Sequence, residues 1–316
     1  MTERGGRGTA IGATMNGGVE PMESMQAFEQ RTWTPLQHED LQARVRSTLA
    51  RLSQTGALPT LPAAASAALG MARDPEADID DLCRVIQTDV GLSARVLRIA
   101  NSAALGRRNP ARKLQEAVIT LGLRKTCDIL VAACAKRLYE GATAGAEELW
   151  NHSLAVAVAC EELARTTRRV EVGCAFLPGL FHDVGRAAFL LADGTAAEVI
   201  ESLAVNGTGE RSYLEREWYG FDHAEAGAIL AEDWGLALEL CDAIRWHHEP
   251  TEAGAARELA TLLNAADAFA YRIGCGTGSE APPSVGTTLL GLGAEDEHAL
   301  ADRIQGAWSE QRDLLG

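Results

Sequence analysis

Apolar positions recur every three or four residues along most of the chain and rarely alternate with polar ones, a period that predicts helices and no convincing strand. From His38, the series Leu41, Val45, Leu49 and Leu52 predicts a helix to about Gln54, stopped at Gly56. LPTLP (58–62) places prolines at the entry of a helix from Ala63 to about Arg73, which Asp74-Pro75 breaks. Asp78 or Asp80 caps a short helix carrying Leu82, Val85 and Ile86, and Leu92, Val96, Ile99 and Ala103 share one face of the next. After a loop from Gly106 to Pro110, Leu114, Val118 and Leu121 mark another amphipathic run. A further helix spans about Arg124 to Tyr139.

The small, Gly-rich GATAGAEE (141–148) is the expected internal boundary. Beyond it Leu149, His152, Val156, Ala159 and Leu163 fall on one face, so His152 points where core residues point. A helix beginning near Cys174 leads through Phe176, Leu180 and Phe181 into His182-Asp183, and the more polar interval from Ala192 to Gly220 predicts two short helices. Asp222-His223-Ala224-Glu225 reads as a capping box. Two helices follow, the second carrying Leu240, Ile244 and His247 on its apolar stripe and closing at Pro250. Leu259, Leu263, Asp267 and Ala270 share a face of the next, and a loop from Gly274 to Gly286 precedes a last helix with Leu300, Ile304 and Trp308. The expected organisation is a mobile leader (1–35), an N-terminal helical lobe (36–145), a second helical lobe (146–275), and a loop with a C-terminal helix (276–316). The fold class is all-α.

Charge narrows the function. With 29 basic against 44 acidic residues, a net of −15, the surface is unsuited to coating nucleic acid or anionic lipid, which need cationic faces. Direct nucleic-acid binding is not expected. Arg107, Arg108, Arg112, Lys113, Arg124 and Lys125 lie close in sequence and read as a solvated helix face. No apolar run reaches the ~20 residues of a membrane span, and the first residues lack a secretory core, so no membrane association and a cytoplasmic location are expected. Seven cysteines, none spaced as CxxC, read as buried thiols in a reducing compartment. The tryptophans Trp150, Trp218, Trp234 and Trp246 read as core, and His38 and His298 as surface residues.

Five of the seven histidines (His152, His182, His223, His247, His248) fall between residues 152 and 267, each in or beside an apolar helical pattern. A buried imidazole or carboxylate needs a partner, and imidazole with carboxylate suits Fe, Mn, Zn or Ni. One ion takes His152, His182, Asp183 and Asp267 as its minimal set, leaving the other histidines to substrate or water. Two ions would share Asp183 as a bridge and clamp a phosphate ester for hydrolysis. His182 and Asp183 are then the candidate catalytic pair. The plain alternatives are that His223 serves a helix start and His248 a helix end, and that the inward four form only a hydrogen-bonded network.

At these residues the chain resembles the HD superfamily of metal-dependent phosphohydrolases, with its His, His-Asp doublet and later Asp. More closely it resembles the HDOD (HD-related output domain) family. The similar passages are LPTLPAAASAALGMARDPEADIDDLCRVIQTDVGLSARVLRIANSAALG, LQEAVITLGLRK, LWNHSLAVA, LPGLFHDVGR and FDHAEAGAILAEDWGLALELCDAIRWHHEP, in order from Leu58 to Pro250. The resemblance implies an HD-like multi-helix bundle preceded by an N-terminal helical lobe, in a bacterial signal-transduction or regulatory protein acting through a signalling protein partner or a nucleotide ligand. HD-GYP relatives hydrolyse cyclic di-GMP, and comparison with them implies His152, His182, Asp183, His223, His247, His248 and Asp267 as positions for a divalent metal. Two departures stand out: HHEPTEAGA lacks the GYP signature, and Arg186 stands where those enzymes have Lys. The alternative to the regulatory reading is a metal-dependent phosphohydrolase acting on a nucleotide or cyclic dinucleotide. A third is a ligand-free scaffold.

Overall fold

The computed structural model describes residues 38–52, 60–102, 109–139, 145–206, 210–277 and 284–315, and among them every regular element is a helix. The predicted leader, the first half of GATAGAEE (141–144), Ala103, and Arg107 and Arg108 lie outside the described residues. Glu39 to Gly316 forms one compact unit.

The N-terminal helices are α1 (His38–Leu52), α2 (Ala63–Met71), α3 (Ile79–Gln87), α4 (Val90–Ala100), α5 (Leu114–Leu121) and α6 (Leu123–Ala135). Their starts follow local chemistry. Asp78 accepts a hydrogen bond from the Asp80 amide at 3.0 Å and so caps α3; Asp89 accepts from Gly91 and Leu92 and caps α4. Leu41, Val45 and Leu49 of α1 are buried as the spacing predicts. On α1, Gln42 and Arg46 reach Glu232 and Asp233 on the far side of the sequence.

The rest of the chain is wound around α7 (Ala146–Thr167). Its predicted inward face understates its position: from Leu149 to Ala164 only Asn151 and Glu162 escape burial. A helix apolar on all sides needs neighbours on all sides. They are α8 (Phe176–Phe181), α13 (Arg257–Arg272) and α15 (Ala294–Leu315). One apolar core runs from Leu82, Ile86 and Leu130 through Leu154 and Phe181 to Ile244. A second lies on the opposite side of α7 with Leu263, Phe269, Leu300 and Ile304.

Between α8 and α13 come α9 (Val184–Val205), α10 (Arg211–Tyr219), α11 (His223–Asp233) and α12 (Leu238–Arg245), with the short α14 (Gly286–Leu290) before α15. The polar interval does contain two helical pieces. The first continues directly from Val184, broken only at Asp193 (φ −148°, ψ 68°), whose carboxylate accepts from the Ala196 amide and restarts the helix. The Asp222–Glu225 capping box forms in full. Trp150 is core, but Trp218 is 38% exposed, because α10 turns Leu214 and Tyr219 inward and leaves Trp218 outside. His298 is exposed, and the seven cysteines are free thiols, six of them buried.

Two glycines set the approach of helices at the centre. A Cβ on Gly179 of α8 would lie 2.6 Å from the Ala157 Cα of α7, and one on Gly185 of α9 would lie 2.1 Å from the His223 carbonyl oxygen of α11. Neither position tolerates a side chain without moving backbone. These contacts place α7, α8, α9 and α11 close enough for their histidines to converge.

Candidate metal centre

Three helices and two turns bring all seven predicted residues to one place. His152 comes from the middle of α7, His182 and Asp183 from the junction of α8 and α9, and His223 from the first turn of α11. His247 and His248 follow α12, and Asp267 lies in α13. All are buried except His248, which is partly exposed.

The imidazoles share one arrangement. His152 Nδ1 lies 2.9 Å from the Cys275 carbonyl, His182 Nδ1 2.9 Å from the Gly179 carbonyl, and His247 Nδ1 2.7 Å from the Ile244 carbonyl. A carbonyl oxygen can only accept, so in each case Nδ1 carries a proton and Nε2 faces inward. This orientation of a ring by its far nitrogen is what metal-ligating histidines use. His182 Nε2, His247 Nε2 and Asp267 Oδ1 are buried without a hydrogen-bond partner among the described residues. Three orphaned, converging acceptors are costly unless a cation collects them. The donor set therefore fits a divalent ion.

Distances define two triads on either side of Asp183. Ligand atoms of His152, His182 and Asp267 lie within 4.8 Å of one another, as do those of His223, His247 and His248. Asp183 Oδ2 stands 3.7 Å from His152 Nε2 and 3.6 Å from His182 Nε2, and Oδ1 stands 3.4 Å from His223 Nε2. The triads differ in readiness. In the first His182 Nε2 has no partner and His152 Nε2 stands 3.2 Å from Asp267 Oδ1, whereas in the second His223 Nε2 and His248 Nε2 are 2.9 Å apart and share a hydrogen bond.

Supporting residues come from further away. Glu215 of α10, 2% exposed, accepts from His223 Nδ1 at 2.6 Å and from the His223 amide at 2.8 Å. Asn264 donates to the His247 carbonyl at 2.8 Å. Tyr271 donates to the Thr277 carbonyl at 2.6 Å, tying down the turn whose Cys275 carbonyl orients His152. Arg186 reaches Asp183 Oδ2 at 2.6 Å, Thr277 Oγ1 at 2.7 Å and Glu201 at 3.2 Å, and Arg211 pairs with the same Glu201. Nothing in the sequence marked Glu215 or Thr277. Glu215 sits in the polar run RSYLEREWY, with no local feature to set it apart from Glu217.

Charge states follow from these surroundings. Burial pushes the His182 imidazole down to about 4, and burial with the neighbouring His223 lowers His247. Burial opposes ionisation of Asp183, but Arg186 and the surrounding rings hold it well below the usual carboxylate range. His223 is raised: burial lowers it, and Glu215 more than offsets this. His182 thus binds a proton less readily folded than unfolded, where its value is ~6.5. Its contribution to stability is present above that value and is lost as pH falls toward about 4. For chelator-treated protein we expect His182→Gln to cut the stability lost between pH 7 and pH 4.5, by about 2 kcal/mol. Urea midpoints at the two pH values check this.

A cavity of about 440 Å³ adjoins the centre, sharing Arg186, Glu215 and Thr277 with its supporting residues and adding Arg211, Glu201 and Phe189. Among the described residues no helix is long and apolar enough to cross a membrane.

Comparison with known proteins agrees with this architecture. A model of the HDOD domain matches residues 58–250. The chain belongs to the HDOD domain family. A solved HDOD domain protein of unknown function from Geobacter sulfurreducens is similar at 26% identity and TM-score 0.67, over 86% of this chain and 95% of that one. A solved protein from Shewanella amazonensis, provisionally named a phosphohydrolase, is similar at 26% identity and TM-score 0.68, over 87% and 98%. An uncharacterised protein of Treponema pallidum shares 26% identity over 192 residues, 60% of this chain. The aligned part spans 37% of that protein. This HDOD chain therefore carries its two triads, one of His and Asp and one of His alone, on a helical scaffold similar to those of the two solved proteins.

Proposed function

We propose that this HDOD protein is a regulatory module that holds a divalent metal on His152, His182, Asp183 and Asp267 and acts through a nucleotide ligand or a signalling protein. The observation that carries this reading is the unequal state of the two triads. His182 Nε2 and Asp267 Oδ1 are buried without a hydrogen-bond partner among the described residues, whereas the second triad is partly closed by the His223–His248 hydrogen bond. Asp183 Oδ2, the oxygen nearer His152 and His182, also accepts from Arg186 at 2.6 Å. One ion on the open triad supports ligand sensing better than it supports two-metal hydrolysis. The adjoining cavity has Arg186 and Arg211 in its wall beside four glutamates, and both guanidiniums pair with Glu201, so a nucleotide phosphate would bind there by taking the place of that carboxylate.

A second reading is a metal-dependent phosphohydrolase. Two triads flanking one buried carboxylate favour it, as does the provisional naming of the Shewanella protein. Elemental analysis of protein purified without chelator, with phosphodiester assays in added Mn or Fe, separates the two. The regulatory reading expects about one metal per chain and no turnover. Turnover abolished in Asp183→Ala would overturn it.

A further inference from the structure

Away from the histidines, a second cavity of about 560 Å³ lies between α6, α7 and the C-terminal α15. Its polar wall is formed by Arg124, Lys125 and Asp128 of α6, Glu161 and Arg165 of α7, and Glu310 of α15. Asp128 is the unusual member. It is 1% exposed, set between buried Cys127 and Ile129, and its Oδ1 has no hydrogen-bond partner. Burial pushes its carboxyl up to about 7 in spite of Lys125 and Arg124 nearby.

Neither basic neighbour satisfies it. Lys125 is committed to Glu161, with Nζ 2.6 Å from Oε1. Arg124 makes only a 3.5 Å contact with the Ala72 carbonyl and a 3.8 Å contact with Cys174 Sγ, and its Nε is buried without a partner. The helix thus presents, one turn apart on one face, a guanidinium lacking an anion and a buried carboxyl lacking a donor. The first turn of α6 follows Gly122 with no side-chain cap, which adds amides and a positive dipole end beside Arg124.

Charge balance selects the ligand class. Three basic groups (Arg124, Lys125, Arg165) face three acidic ones (Asp128, Glu161, Glu310), so the wall has no net charge to recommend it to a polyphosphate. A zwitterion meets both unpaired groups at once. Positions four apart on a helix have Cβ atoms about 5–6 Å apart, a gap bridged by a ligand carrying both charges on one carbon. We infer that this cavity binds a free amino acid with an apolar side chain. Its carboxylate sits on Arg124 and the first turn of α6, its ammonium on Asp128, and its side chain against Ile99, Leu121 and Ile129.

This assignment does not depend on the metal centre. Titration calorimetry of the full chain with L-leucine, L-isoleucine, L-methionine and L-phenylalanine tests it. Saturable binding of at least one is expected, weakened about tenfold or more by Arg124→Gln and by the near-isosteric Asp128→Asn, as loss of a charge-assisted hydrogen bond requires. Treatment with chelator should leave the same affinity unchanged. Unfolding of each variant without ligand establishes that it is folded. The inference is overturned if none of the four amino acids binds, if binding survives both α6 substitutions, or if guanosine monophosphate displaces the amino acid through this cavity.

Discussion

Replacing Asp183 with alanine is expected to abolish the proposed metal binding and to destabilise the protein together, the largest combined effect of any single substitution here. The carboxylate stands between His152, His182 and His223, and it is the nearest anion to Arg186, whose side chain is only 11% exposed. Removing one partner of a buried ion pair costs about 3–5 kcal/mol, because the other charge stays buried. Glu201, at 3.2 Å from the guanidinium, keeps the cost near the lower end. Metal content should fall from about one equivalent to background. Asp183→Asn separates the two effects, since the amide oxygen still accepts from Arg186 while the charge that attracts a cation is gone. Denaturant unfolding in chelator and elemental analysis of the same samples check both. A fully metallated Asp183→Ala protein would refute the proposed ligand set.

The second large effect expected is at Gly185. A methyl there would meet the His223 carbonyl oxygen at 2.1 Å and its Cα at 2.8 Å, backbone atoms that no rotamer change can move aside. Helix α9 must then part from α11. Overpacking of this kind costs about 1–3 kcal/mol, and more where backbone is the obstacle. The shift also carries His223 away from Asp183, now 3.4 Å distant. Gly185→Ala is expected to lower the denaturant midpoint and to raise hydrogen exchange in the first turn of α11. Gly70→Ala, with nothing within 4 Å of the added methyl at the end of α2, is the control and should be neutral or stabilising. Equal stability of the two variants would contradict the close approach.

The sequence by itself determined what is local or periodic. The 3.6-residue repeat located the helices and turned His152 and Asp267 inward, because a helix fixes which residues share a face. The capping box at Asp222 was legible because both its hydrogen bonds close within four residues. The ordered HDOD passages from Leu58 to Pro250 carried the family, and comparison with HD-GYP relatives implied the seven positions, of which Asp267 lies beyond those passages.

How those groups are paired depends on contacts between distant segments. His223 read locally as a cap residue, and its partners Glu215, His248 and Asp183 become visible only when α10, α11 and the turn after α12 meet. Arg186 read as a departure from a related enzyme pattern; its grip on Asp183, Thr277 and Glu201 depends on segments up to 91 residues away. Arg124 and Lys125 read as part of a solvated face, yet they wall a cavity with Asp128, because α7 and α15 cover that side of α6. The reason is common to all three. Periodicity reports which way a side chain points, while its charge state and partners are set by what other segments of the chain bring within about 4 Å.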